Sequence, residues 1–148
     1  RVLKKHFIKA EIKYPNDILV NGKKICGILI ERIIGENDDF VVGVGLNVLM
    51  DDFEDINKEA TSIKLVSGLQ LDYRDALSDF INSFNANLLK ETDELYKAYL
   101  ERSIVLGKTI LHEETRCLVK NIEKDGTMVL NCEGNERLVQ LSETILEE

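Results

Sequence analysis

The stretch Ile18-Leu19-Val20-Asn21-Gly22-Lys23-Lys24-Ile25-Cys26-Gly27-Ile28-Leu29-Ile30-Glu31 decides the fold. Aliphatic and β-branched residues dominate it, and Asn21-Gly22 separates two apolar runs. Asn-Gly accepts the positive φ that both central positions of a type I′ turn require. The pattern therefore predicts a strand, a tight turn and a longer strand over residues 23–34. Upstream, Pro15 biases Tyr14 toward extended backbone, and Asn16-Asp17 favours a turn. Downstream, residues 36–39 read as a polar loop and residues 40–48 as a third strand.

Beyond these strands the period changes. Asp72 offers an N-cap, and Leu77, Phe80, Ile81, Phe84 and Leu88 recur at helical spacing. That predicts an amphipathic helix of about 18 residues with its stripe in the core. Leu95, Tyr96, Tyr99 and Leu100 predict a second helix ending near Ser103. From Ile104 onward, short β-rich runs at 109–111, 117–122, 128–131 and 138–141 alternate with turns at Asp125-Gly126 and Gly134-Asn135. Such a cluster predicts a small barrel or sandwich. The whole reads as an α+β fold with a mixed sheet over residues 1–103 and a small β-barrel over 104–148. Arg1-Val2-Leu3-Lys4-Lys5-His6 reads as the tail of a helix begun upstream, so the chain is expected to be the C-terminal part of a longer protein.

With 148 residues, 44% hydrophobic and 31% charged, the chain can bury a sizeable core. A chain of this size hides about 70% of its unfolded surface. No run of about 18 apolar residues is present, so no membrane-crossing helix is expected. Cys26, Cys117 and Cys132 lie far apart, and their odd number without a CxxC argues against a disulfide framework or a thiolate zinc site. Their use suggests the reducing cytoplasm. His6 and His112 are the only histidines, too few for a His-rich metal centre, and no metal-ligand set is expected. Net charge is −8. Residues 1–48 carry a net of +2 and residues 49–148 a net of −10. An acidic body repels phosphate backbones, so this segment is not expected to bind nucleic acid. The positive N-terminal third can hold a small anion.

Two strands carry the candidate chemistry. By period two, Lys24 shares a face with Cys26, Ile28 and Ile30, which sets an ammonium on an apolar row. Such a lysine is costly unless an anion meets it, or unless it reaches water at the hairpin end. Apolar residues on both faces predict that this strand is covered on both sides. Gly27 lets a ligand approach the backbone, and Asp17 and Glu31 are the carboxylates expected near Lys24. In the next strand, Gly43, Gly45 and Asn47 share a face. Two glycines beside an amide make a bare patch that fits a flat ligand, and Asn can pair with an adenine edge. The plainer alternative is close packing over the glycines, with Asn47 satisfying a loop. The sequence has no dinucleotide fingerprint, P-loop or nucleophile elbow.

Taken in order, Lys13-Tyr14-Pro15-Asn16-Asp17, the run from Gly22 to Glu31, Gly43-Val44-Gly45-Leu46-Asn47 and Ala60-Thr61-Ser62-Ile63 resemble the biotin–protein ligases. The family pattern is Lys-Trp-Pro-Asn-Asp, Lys-x-x-Gly-Ile-Leu-x-Glu, Gly-x-Gly-x-Asn and Ala-Thr-Ser-Leu. Tyr14 stands where the family has Trp. Residues 104–148 resemble its SH3-like barrel. The resemblance implies a ligase that makes biotinyl-adenylate from biotin and ATP with Mg²⁺, then biotinylates a lysine of a biotin carboxyl carrier domain. It implies catalysis and biotin binding by Lys24, with Gly27 and Ile28 on biotin. Lys13, Asn16, Asp17, Gly43, Gly45 and Asn47 fall on the nucleotide, with Asp17 on magnesium or ribose. It allows a homodimer. The family's Gly-Arg-Gly-Arg-like loop, which closes over biotin and phosphates, would lie upstream of Arg1, so residues 1–148 by themselves read as an incomplete enzyme. A non-catalytic adenylate- or carrier-binding module is the alternative. A lipoate ligase shares the core fold, but the lysine strand and the appended barrel favour biotin.

Overall fold

Asn21 and Gly22 take φ angles of 52° and 75°, the positive pair that a type I′ turn needs. They join β2 (Asp17–Val20) to β3 (Lys23–Ile33), and β3 pairs antiparallel with β4 (Asp39–Leu46). The computed structural model describes residues 2–34, 39–53 and 59–141. Most of the polar loop read at 36–39 lies outside the described residues.

The chain folds as two compact units, one of residues 1–10 and 16–89, the other of residues 11–15 and 90–148. The first contains α1 (Val2–Lys5), strands β2 to β4, α2 (Ile63–Ser67) and α3 (Tyr73–Leu88). Its core gathers Ile8, Val20, Ile25, Cys26 and Ile63. Asp72 caps α3, accepting the Arg74 N–H at 2.7 Å, and Lys5 on α1 pairs with Asp79 on α3 at 2.7 Å.

The second unit holds β1 (Glu11–Lys13), α4 (Thr92–Leu100) and an antiparallel meander of β5 (Thr109–His112), β6 (Thr115–Ile122), β7 (Met128–Cys132) and β8 (Asn135–Val139). Ile12 bridges in parallel to Ser103. Residues 90–103, read from sequence with the first domain, fold with this unit. Its core holds Val105, Ile110, Val119, Met128, Leu130 and the ring of Tyr14. The Tyr14 hydroxyl donates to the Gly126 carbonyl at 2.7 Å, which satisfies the polar end of this buried ring.

Four readings are corrected. Cys117 and Cys132 face each other across β6 and β7 and form a disulfide. Their distance in sequence says nothing about register, and the antiparallel pairing brings them together. The β7–β8 turn uses Glu133-Gly134, with φ of 54° and 90°, one residue earlier than expected. The far half of β3 is not covered on both sides, since Leu29 and Ile30 are 58% and 61% exposed. The α3 stripe is not core either: Leu77 is 55% and Leu88 67% exposed, and Ala76 alone on this helix is buried. Periodicity identifies an apolar face, but not what covers it. No helix among the described residues is long and apolar enough to cross a membrane.

Tyr99 gives a pH signature. Burial, then the neighbouring Tyr14, pushes its phenol up from 10 to about 12. As pH rises from 10 to 12, the unfolded chain loses a proton that the folded chain keeps, so stability falls across that window. Urea midpoints of the wild type are expected to drop there, and those of Tyr99→Phe to drop less. Equal slopes would show that Tyr99 is not the group responsible.

Candidate functional site

The site begins with an irregularity in β3. Ile18 pairs with Cys26 and Leu19 with Lys24, so Ile25 is an extra residue opposite the bond between two partners. A bulge of this kind turns consecutive side chains toward one face. Ile25 and Cys26 both enter the core, at 0% and 8% exposure. Alternation therefore restarts at the bulge, and Lys24 lies with Gly27 rather than with Cys26 and Ile28. A Cβ built at Gly27 would lie 3.3 Å from Lys24 Cε, 3.4 Å from its Nζ and 3.6 Å from Asp17 Oδ1. The expected facial row is thus corrected by one residue of slip.

On that face Lys24 Nζ meets Asp17 Oδ1 at 2.6 Å. The pair is half-exposed, at 43% and 28% of the side chains. Asp17 is thereby the carboxylate that answers Lys24. Glu31 sits farther along β3, opposite Val41 at the exposed end. Burial, then the Asp17 charge, raises the Cys26 thiol, and Lys24 offsets part of this. Cys26 is a buried core thiol, not a nucleophile.

Next to the pair, β4 lays its glycines alongside. Gly27 pairs with Gly45 and Leu29 with Gly43. A Cβ at Gly45 would meet nothing within 4 Å. The result is a depression of about 400 Å³ with a floor almost free of side chains. Asn16 fixes its edge: its Nδ2 donates to the Ile28 carbonyl at 2.6 Å, and the Ile28 N–H donates to the Asn16 carbonyl at 3.0 Å. Ile28 packs into the core beneath. Of the nine residues expected at the site, all but Lys13 and Asn47 line this depression. Leu29 and Val44 line it as well. Sequence reading passed them over because they are ordinary strand residues.

Lys13 ends β1 in the second unit. Asn47 follows β4, and its Nδ2 donates to the Thr61 carbonyl at 2.9 Å. The Asn47 N–H also donates to the Ile25 carbonyl at 2.9 Å, and its carbonyl accepts the Ile63 N–H at 3.0 Å. This is the loop-satisfying role, and one amide hydrogen and the amide oxygen remain for a ligand. The Ala60-Thr61-Ser62 segment is a brace. Lys24 N–H donates to the Glu59 carbonyl at 2.7 Å, and Thr61 N–H to the Lys24 carbonyl at 2.8 Å. Ser62, fully buried, donates to the Met50 carbonyl and caps α2 through Leu65. Asn47→Ala is expected to destabilise the chain by about 1 kcal/mol, the net worth of one such hydrogen bond. Urea unfolding of the full chain reads this, and an unchanged midpoint would detach Asn47 from the brace.

Chemically, the site offers a held ammonium, a carboxylate and a bare sheet floor, which suit an anionic ligand with a flat part. Among the described residues no cluster of three or more His, Cys, Asp or Glu could hold a metal ion by itself.

A model of the biotin/lipoate A/B protein ligase family matches residues 1–47. The bifunctional ligase/repressor BirA of Bacillus spizizenii is 46% identical over 70 residues, which are 44% of this chain and 22% of that protein. The biotin–[acetyl-CoA-carboxylase] ligase of Mycobacterium tuberculosis is 27% identical over 143 residues, 90% of this chain and 52% of the relative. The chain thus spans about a fifth to a half of these curated relatives. The biotin protein ligase of Aquifex aeolicus superposes with a TM-score of 0.85 at 20% identity, over 99% of this chain and 69% of that one. Its complex with biotin and ATP gives 0.79 at 21%, over 99% and 65%. Those two superpositions speak for the fold. The chain is thus similar in sequence to these ligases and has the fold of the Aquifex aeolicus biotin protein ligase.

Proposed function

We propose that the chain is part of an ATP-dependent biotin–protein ligase. Residues 1–103 would belong to its catalytic domain, and residues 104–148 would make an SH3-like barrel. The observation that carries this reading is Lys24, held by Asp17 over the bare floor of Gly27 and Gly45. The solved Aquifex aeolicus relative in complex with biotin and ATP supports the choice of ligands.

In the proposed first step the biotin carboxylate attacks the α-phosphorus of ATP. A carboxyl-oxygen-to-phosphorus bond forms, the bond to the β-phosphate oxygen breaks, and pyrophosphate leaves. Carboxylate and phosphate repel as they approach, and negative charge grows on the phosphate oxygens. A preorganised ammonium lowers that barrier. Lys24 supplies it, and Asp17 holds it aimed before the anions arrive. Gly27 and Ile28 give biotin backbone contact and an apolar wall. Asn16, Gly43, Gly45 and Asn47, with Lys13, serve the nucleotide. Asp17, the carboxylate lining the depression, would help hold a Mg²⁺ brought with ATP, an ion bound through one or two carboxylates and substrate phosphates. In the second step a carrier lysine amine attacks the acyl carbon, the amide forms and AMP leaves.

The partners follow: a biotin carboxyl carrier domain, no nucleic acid for this segment, and a homodimer as a compatible state. The cytoplasm is the proposed compartment, although the Cys117–Cys132 disulfide is uncommon there. A non-catalytic adenylate- or carrier-binding module is the alternative reading. Intact-mass measurement decides between them. A biotin carrier domain incubated with the full-length protein, biotin and ATP is expected to gain one biotin. A carrier unchanged in mass, with no biotin-dependent pyrophosphate release, would leave the binding module.

A further inference from the structure

The second unit carries a groove of about 610 Å³ that the ligase reading does not use. It is lined by Tyr96, Tyr99 and Tyr14 together with Pro15, Leu95 and Leu141. Each phenol is already spoken for by a backbone carbonyl: Tyr14 donates to Gly126 at 2.7 Å, Tyr96 to Ile122 at 2.8 Å and Tyr99 to Pro15 at 3.5 Å. These bonds fix the rings; Tyr96 and Tyr99 are half-buried beside the groove, and Tyr14 packs beneath them at 5% exposure. Rigid aromatic faces offer large contact area at little entropic cost.

The rim is acidic. Glu123 and Asp125 border the groove and are exposed. Glu123 accepts from Asn121 at 2.8 Å and Asp125 from the Thr127 N–H at 2.9 Å, so both are held in place by neutral donors. Lys124 between them pairs with Asp93, which neutralises its charge. Lys124 Nζ also stands 5.9 Å from the Tyr96 ring centre, so that ring face already takes a cation. Aromatic troughs with a carboxylate rim are complementary to one kind of peptide. Polyproline II segments present a preformed ridge of rings with no internal hydrogen bonds to satisfy, and a flanking basic residue meets the carboxylates.

We propose that this groove docks a proline-rich, extended segment of a partner protein that carries a flanking arginine or lysine. Such a contact would tether a partner to the second unit, raising the local concentration of whatever that partner brings.

The test is fluorescence anisotropy of a labelled synthetic polyproline peptide with arginines at one end, titrated with the full chain. Saturable binding is expected, lost when the arginines are replaced by glutamates and weakened by salt. Tyr96→Ala is expected to weaken binding about tenfold, the effect of losing one aromatic anchor. Because Tyr96 also bonds to Ile122, a second variant guards against misfolding. Glu123→Gln with Asp125→Asn keeps an acceptor for the Thr127 N–H and removes only charge. It is expected to weaken the arginine peptide several-fold and to flatten its salt dependence. Three results would overturn the proposal. The first is no saturable binding, or binding indifferent to these variants. The second is binding that emerges only when residues 142–148 are deleted, which would give the groove to the chain's own tail. The third is self-association abolished by Tyr96→Ala, which would give it to a second copy. Biotin transfer is read separately, so failure of the groove proposal leaves the ligase reading intact.

Discussion

Lys24→Gln is expected to slow adenylate formation in the full-length protein by about 10²–10³-fold, the usual cost of removing one preorganised donor at developing charge. Lys23→Gln is expected to change the rate by no more than about twofold, since a solvated surface charge contributes little. The two lysines are adjacent and alike in charge, so the comparison cancels any effect of net charge on ATP encounter. They differ in placement. Lys24 is held at 2.6 Å by Asp17 beside Gly27, whereas Lys23 is exposed at the start of β3. Gln keeps a neutral donor on a stem one atom shorter, so what is lost is chiefly charge. Single-turnover pyrophosphate release on both variants is the measurement. Two mild and equal effects would mean that Lys24 is only a lysine at a hairpin end. A large effect at Lys23 instead would mean that the bulge points the other way.

The bulge also marks how far the sequence could be read. Asn21-Gly22, the apolar runs and Asp72 are local signals, and the turn, the strands and the cap of α3 follow from them because local geometry is what those residues constrain. The family motif set located the depression, because Asn16, Asp17, Lys24, Gly27 and Gly45 carry it within thirty residues of chain. The face of Lys24 was not legible. Ile25 and Cys26 are both apolar, so strict alternation and a slip of one residue place equally reasonable side chains in the core, and the register of β2 decides between them. Cys117 opposite Cys132 was hidden for the same reason: cross-strand pairing is a property of two strands together. The exposed stripe of α3 is a third case. Leu77, Ile81 and Leu88 announce an apolar face as clearly as any core helix does, and their period is silent about whether a partner lies within the same residues. Asn47 was half legible. Its type suits both an adenine edge and a loop, and only the 2.9 Å bond to Thr61 shows that the loop is served.

Gly27 should then be the most sensitive small residue of the depression. The sequence offers it as a place where ligand nears the backbone. The structure adds that its missing side chain leaves room for the Lys24–Asp17 pair. In Gly27→Ala the new methyl would stand 3.3 Å from Lys24 Cε and 3.4 Å from Nζ. Those atoms end a flexible chain, so the fold accommodates the change by moving the ammonium. Folding stability is therefore expected to stay within about 1 kcal/mol, since alanine also removes the entropic penalty of a strand glycine. The rate should not be spared. Displacing a catalytic group by about 1 Å costs up to about 10²-fold, and a loss of that order is expected in single-turnover adenylation. Gly45→Ala, directly across the ladder, separates the two roles of a bare floor. Its methyl would meet nothing within 4 Å and leaves Lys24 where it is. It is expected to raise KM for the ligand lying on that floor while leaving the single-turnover rate at saturation nearly unchanged. If both alanines raise KM alone, Gly27 serves ligand approach and not the aim of Lys24. If Gly27→Ala is as fast as wild type at every concentration, the ion pair seen at 2.6 Å is not the arrangement that works on ATP.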